Sequence, residues 1–242
     1  MQDRYTGDIG DFGKYSLLNY LSNGMQLGVA WYLYPDEGHN NDGKHISYLS
    51  KPDEWRCYDP AVFDGLKGLV HNGIRSTLAV QQSGILQARH YSAHPLDFVD
   101  NSYQKRGEWR RDWFRKTLRD LGGCSIVFAD PDNGLCGDDR YKYHNVKEWK
   151  RLPLDEVCEL AKDRTAVLYH HNTRRAGGHE KEIRDWMDAL LQLDVVSDSC
   201  AVRFRAGSSR TFFIVNASKE ICKRAEQWCT LFPKADFFIQ QP

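Results

Sequence analysis

The chain has 242 residues, and its 33 basic residues cancel 33 acidic ones to leave a formal net charge of +0. Length and an apolar, aromatic-rich composition suit one medium-sized domain across 1–242; they exclude wholesale disorder, and the balanced charge excludes a globally cationic histone-like binder. Seven cysteines without a C-x-x-C pair suggest neither a zinc ribbon nor a disulfide framework, and a charged start with only short apolar runs fits a soluble cytoplasmic protein.

In chain order, Gly7-Asp8-Ile9-Gly10-Asp11-Phe12-Gly13-Lys14 leads into a helix carrying Leu17, Leu18 and Leu21. Asp11 is expected as its N-cap, which places Lys14 in the first turn facing the same site. The apolar run at 29–34 (VAWYLY) reads as a buried strand. It delivers the acidic loop Pro35-Asp36-Glu37-Gly38-His39-Asn40-Asn41-Asp42-Gly43. A small helical or irregular insertion is expected around 40–115. Within it, Asp59-Pro60 starts a helix through Val62, Phe63, Leu66, Leu69 and Val70, and 76–80 is a weaker strand candidate. The segment 105–121 interleaves Arg110, Arg111, Arg115 and Lys116 with Trp109, Trp113 and Phe114, the residue types that grip nucleic-acid phosphates and stack on bases.

The run SIVFA at 125–129, with four apolar residues, reads as a strand and delivers Asp130-Pro131-Asp132-Asn133-Gly134 to its end, a usual place for a catalytic carboxylate. A helical stripe follows at Leu154, Val157, Cys158 and Ala161. The strand at 165–169 then runs into His170-His171, which cannot both face one ligand unless the strand has ended. Ile183, Trp186, Met187, Leu190 and Leu191 repeat at helical spacing. Residues 195–204 are a weak strand. FRAGSSRTFF reads as a hairpin around Gly207-Ser208 that leads into a strand at 211–215, and Ile221, Ala225, Trp228 and Phe232 make the last helix. This alternation predicts an α/β fold: a mostly parallel sheet with helices on both faces and an antiparallel edge hairpin, and ligands beyond the carboxyl ends of its strands.

Three of these clusters together resemble the RlmJ family, bacterial ribosomal-RNA adenine N6 methyltransferases that use S-adenosylmethionine. Its opening G-N-x-A-D-x-x-K-H is similar in spacing to Gly7–Tyr15, with Gly7, Asp11 and Lys14 retained. Its cofactor loop after the first strand corresponds to Asp36 and Gly38, and its catalytic D-P-P-Y to Asp130-Pro131-Asp132-Asn133, where Asp132 and Asn133 replace the second proline and the aromatic. The resemblance implies a Rossmann-like methyltransferase-type sheet. It also implies that Gly7, Asp8, Asp11, Asp36 and Gly38 face S-adenosylmethionine, while Asp130, Asp132, Asn133 and Lys14 act on the amine of a flipped base in RNA or DNA.

The carboxylates allow a second reading. Asp8, Asp11, Asp130 and Asp132, with His170 or His171, supply a mostly oxygen ligand set for Mg²⁺ or Mn²⁺ in a nuclease or phosphoesterase. A third is a nucleic-acid-binding relative without catalysis.

Overall fold

The computed structural model describes residues 1–38, 43–98 and 102–239. In chain order its strands are β1 (Leu27–Ala30), β2 (His90–Ser92), β3 (Ile126–Ala129), β4 (Gly134–Cys136), β5 (Arg151–Pro153), β6 (Thr165–His171), β7 (Ser199–Phe204), β8 (Arg210–Val215) and β9 (Ala235–Ile239). The helices are α1 (Ile9–Leu21), α2 (Pro52–Trp55), α3 (Pro60–His71), α4 (Thr77–Ser83), α5 (Tyr103–Asp120), α6 (Leu154–Ala161), α7 (Gly178–Leu191) and α8 (Lys219–Leu231).

Seven strands form the central sheet in the order β2-β1-β3-β6-β8-β7-β9, and β4 pairs with β5 apart from it. The block β2-β1-β3-β6 is parallel, and β8, β7 and β9 continue it with antiparallel pairings. The expected hairpin is therefore present, but its second strand lies inside the sheet, with β9 outermost. From β1 the chain first adds β2 on one side and then β3 on the other. The crevice beyond the ends of β1 and β3 is thus the switch point where such sheets bind ligands.

The pleat sorts side chains into two cores. Val29, Phe128, Val167, Phe212 and Ile214 join Leu17, Phe63 and Trp228 on the face covered by α1, α3 and α8. Val127, Leu168, Phe213 and Val215 join Trp113, Leu160, Ile183 and Leu190 beneath α5, α6 and α7. Each large apolar side chain so buried contributes about 1.5–3 kcal/mol of transfer free energy. Among the described residues no helix is long and apolar enough to cross a membrane.

Three local expectations change. The strand at 29–34 begins two residues earlier and pairs with β3 only to Ala30. Beyond it, Trp31 N–H donates to Ser92 and Tyr34 N–H to Met1, so the apolar run outlasts the ladder. Residues 76–80 are helical. Ser76 Oγ caps Ala79 N–H at 3.1 Å, Asp3 accepts from Thr77 N–H at 2.7 Å, and Gly84 at φ 71° ends α4 in the left-handed region. The N-cap of α1 is Asp8, whose carboxylate accepts from Gly10 N–H at 2.9 Å; Asp11 lies inside the first turn.

Candidate functional site

The start of α1, the end of β3, the end of β6 and the β7–β8 hairpin enclose a cavity of about 230 Å³. Asp8 holds the α1 end of it in place, because its second oxygen accepts from His45 N–H at 3.1 Å. Asp11 accepts from Gly7 N–H at 3.1 Å across the tight turn that Gly7 makes at φ 84°. One turn further, Lys14 Nζ lies 2.8 Å from Asp11 Oδ1 and 2.7 Å from Asp130 Oδ2. Asp130 is 2 % exposed and arrives at the carboxyl end of β3, as the apolar run before it requires. Pro131, Asp132 and Asn133 line the same cavity, and Tyr169, His171, Ser208 and Arg210 line it too.

The charges in this cavity are mostly settled internally. Burial alone would lower Lys14, but Asp11 and Asp130 outweigh it and hold the ammonium above its usual range. Lys14 is therefore a permanent cation and donor, unsuited to act as a base. Burial pushes Asp11 above the ordinary carboxylate range, with Lys14 opposing the shift. Asp132 accepts from Gln2 Nε2 at 2.7 Å and lies 3.8 Å from Lys150 Nζ. Burial pushes the Tyr169 phenol up to about 12, so it stays neutral and lies 3.3 Å from His171 Nδ1.

The structure brings Asp8, Asp11, Lys14, Asp130, Asp132, Asn133 and His171 to one cavity, and leaves Gly7, Asp36, Gly38 and His170 outside its lining. Gly7 shapes the turn beneath. Asp36 accepts from Arg4 N–H at 3.1 Å, and neither Asp36 nor Gly38 lines the cavity. His39, Asn40, Asn41 and Asp42 lie outside the described residues.

His170 points to the opposite face of the sheet. Its Nδ1 accepts from Leu135 N–H at 3.0 Å, and its Nε2 lies 3.3 Å from Glu182 Oε1. With Nδ1 accepting, the proton sits on Nε2 and is donated to Glu182. Burial pushes Glu182 up, but His170 and Thr173 outweigh it and hold the carboxyl at about 2. His170 is thus a structural tether, as strand alternation demands of one of two adjacent histidines.

The expected metal set loses His170 for that reason, and no group of three or more His, Cys, Asp or Glu side chains able to hold an ion forms among the described residues. Repulsion among the carboxylates is relieved by a resident cation, because Lys14 takes the point between Asp11 and Asp130.

Arg110 is also corrected. It is fully buried, with Nη2 2.8 Å from Glu156 Oε2 and its guanidinium 4.4 Å from the Trp113 ring centre. It lies on the same helical stripe as Trp113, Phe114 and Thr117, so it cannot meet a phosphate. Arg111, Arg115 and Lys116 are exposed. Arg115 pairs with Asp112 at 2.6 Å, and Arg115 and Lys116 line a groove together with Trp109 and Trp113.

Sequence reasoning missed Arg210, Tyr169 and His45 in the cavity and Glu182 behind His170. Glu182 had a readable signal, an acid beside Ile183 on an apolar stripe. Arg210 had only its place at the foot of a hairpin.

Of the residues assigned to S-adenosylmethionine, Asp8 and Asp11 line the cavity, whereas Gly7, Asp36 and Gly38 do not. Met1, only 3 % exposed, fills the switch-point crevice, where its nitrogen donates to Tyr32 O at 3.0 Å and Asp130 O at 2.9 Å. Directly after β1, Trp31 and Tyr32 are fully buried. The cavity is also smaller than the roughly 300–1,000 Å³ usual for ligands of drug size.

No family model matches this chain, and no curated protein matches it.

Proposed function

We propose that the chain is a methyltransferase-type protein that takes an amine-bearing base of a nucleic acid into this cavity. The Lys14–Asp130 ion pair at 2.7 Å carries the reading. It joins the Gly7–Lys14 segment to the Asp130–Asn133 strand end, the two segments on which the family resemblance rests. Lys14 takes Asp130 Oδ2 and fixes the carboxylate, which leaves Oδ1 to accept from an amine in the cavity. A parallel block followed by an inserted reversed hairpin also agrees with a sheet of methyltransferase type. A cavity of about 230 Å³ suits a single base.

S-adenosylmethionine would supply the methyl group in such a protein. The side chains in place support base capture. Hydrolysis with Mg²⁺ or Mn²⁺ is the weaker reading, because Lys14 already occupies the point between Asp11 and Asp130. The exposed Arg111, Arg115 and Lys116, beside Trp109 and Trp113, would hold the strand, with an affinity that falls as salt rises.

Calorimetry with S-adenosylmethionine and S-adenosylhomocysteine, followed by methyl-transfer assays on single-stranded RNA and DNA, tests the enzymatic part. Asp130→Asn should abolish transfer and leave cofactor affinity within a few-fold. Absence of cofactor binding at millimolar concentration removes methyl transfer and leaves base capture as the function. A thermal shift with Mn²⁺ and metal-dependent cleavage would replace both.

A further inference from the structure

Arg210 differs from every other charged group lining the cavity. It is 4 % exposed, yet no carboxylate among the described residues lies within ion-pair distance of it. Its two hydrogen bonds go to neutral oxygens, Nη1 to Ala206 O at 3.1 Å and Nη2 to Ser208 Oγ at 2.7 Å. Lys14, by contrast, has two carboxylates, and the carboxylates of Asp8 and Asp132 have their own donors. An almost fully buried cation without a counter-charge is costly, and a ligand anion would supply the missing charge.

The guanidinium is also held in position for one. It lies 5.6 Å from the Phe204 ring centre. On its other side it packs so closely on α1 that a Cβ at Gly10 would come within 2.7 Å of Arg210 Cζ. The absence of a side chain at position 10 is what lets the arginine lie in the cavity wall. Arginine presents its donors in a planar fork matched to phosphate oxygens. Ser208 and His171 line the same part of the cavity.

We infer that Arg210 forms a phosphate-binding corner in the cavity wall, so that a nucleotide puts its base into the cavity with the amine at Asp130 and rests its phosphate against Arg210. The base half of this inference rests on the reading under Proposed function; the phosphate half rests on Arg210 alone. The two ends of the ligand then meet opposite charges, which fixes the direction in which a base enters.

Calorimetry on the whole chain with adenosine, ribose 5-phosphate, AMP and a short oligoadenylate without terminal phosphates separates the parts. AMP should bind at least roughly tenfold more tightly than adenosine and than ribose 5-phosphate. Arg210→Gln should weaken AMP by roughly 30-fold or more, with adenosine unchanged. Arg210→Lys should retain part of the gain, since it keeps the charge and loses the fork. It also serves if the glutamine variant fails to fold, which a melting curve would show. AMP binding no better than adenosine, or an equal loss of both ligands in Arg210→Lys, overturns the phosphate corner. AMP binding no better than ribose 5-phosphate overturns the base pocket and leaves the corner standing. If the oligoadenylate binds as well as AMP, the phosphate belongs to a strand; if only AMP binds, the ligand is a free nucleotide.

Discussion

Two buried ion pairs lie on opposite faces of the sheet, and they differ in what surrounds them. Arg110 and Glu156 are sealed among Trp113 and the fully buried Tyr32, whose hydroxyl donates to Glu156 Oε2 at 2.9 Å. Lys14 with Asp11 and Asp130 is as deeply buried but borders a cavity. The sealed pair sets its two charges against each other at 2.8 Å and lines no cavity with the bordering group; its work is to tie α5 to α6. The bordering group stands in the lining of a cavity, where a ligand can reach it. Burial of charge is therefore a poor marker of a site unless a void adjoins it.

The sharpest test of this contrast is to break the sealed pair. Arg110→Ala strands Glu156 in an apolar core and should cost about 3–5 kcal/mol in chemical denaturation. Lys14→Ala should cost less, about 2–3 kcal/mol at neutral pH, because cavity water hydrates the freed carboxylates. Mutual repulsion would raise the carboxylates of that variant in the folded state above their unfolded values. Its deficit should therefore shrink as pH falls and they protonate. A deficit independent of pH would show that Lys14 acts by packing alone.

A smaller effect separates the two histidines. Glu182→Gln should cost about 1–2 kcal/mol. The Glu182 carboxyl is held at about 2 against a usual 4.5. Its contribution is complete above pH 4.5 and disappears as pH falls toward 2. The wild type should lose stability through that window more steeply than the variant, in melts recorded at stepped pH. His171→Ala, on the cavity side, should leave the slope unchanged. Least of all, Asp112→Ala should move stability by under about 0.5 kcal/mol, since its pair with Arg115 is exposed. A larger change would mean that the α5 surface is part of the fold's structural framework.

Much of this architecture was legible. SIVFA, TAVLY and TFFIV are apolar runs closed by turn residues, and each is a strand within one or two positions. VAWYLY misled because Trp31 and Tyr32 are buried beneath a chain that has left the ladder, and hydrophobicity records burial without recording pairing. The 76–80 segment has strand-like residues, but one cap serine and one left-handed glycine decide for a helix. In the site, a strand-end aspartate and a glycine-flanked lysine were readable because local spacing places them. Arg110 was misassigned because composition reports a basic helix without saying which side faces inward; the spacing to Trp113, Phe114 and Thr117 holds that answer. Arg210 was invisible, since its meaning comes from contact with Gly10, and no local pattern links those two positions.

That contact has a kinetic meaning. The β7–β8 hairpin closes over a short turn, whereas the wall between Arg210 and Gly10 joins opposite ends of the polypeptide, a loop closure of high contact order. Strands β1, β3 and β6 can pair, and α1 can pack on them, before the hairpin docks against β6. The cavity becomes complete only at that docking, so partly folded chains have no binding site. Any ligand of the cavity acts on the finished molecule alone and draws the folding equilibrium toward it in proportion to occupancy.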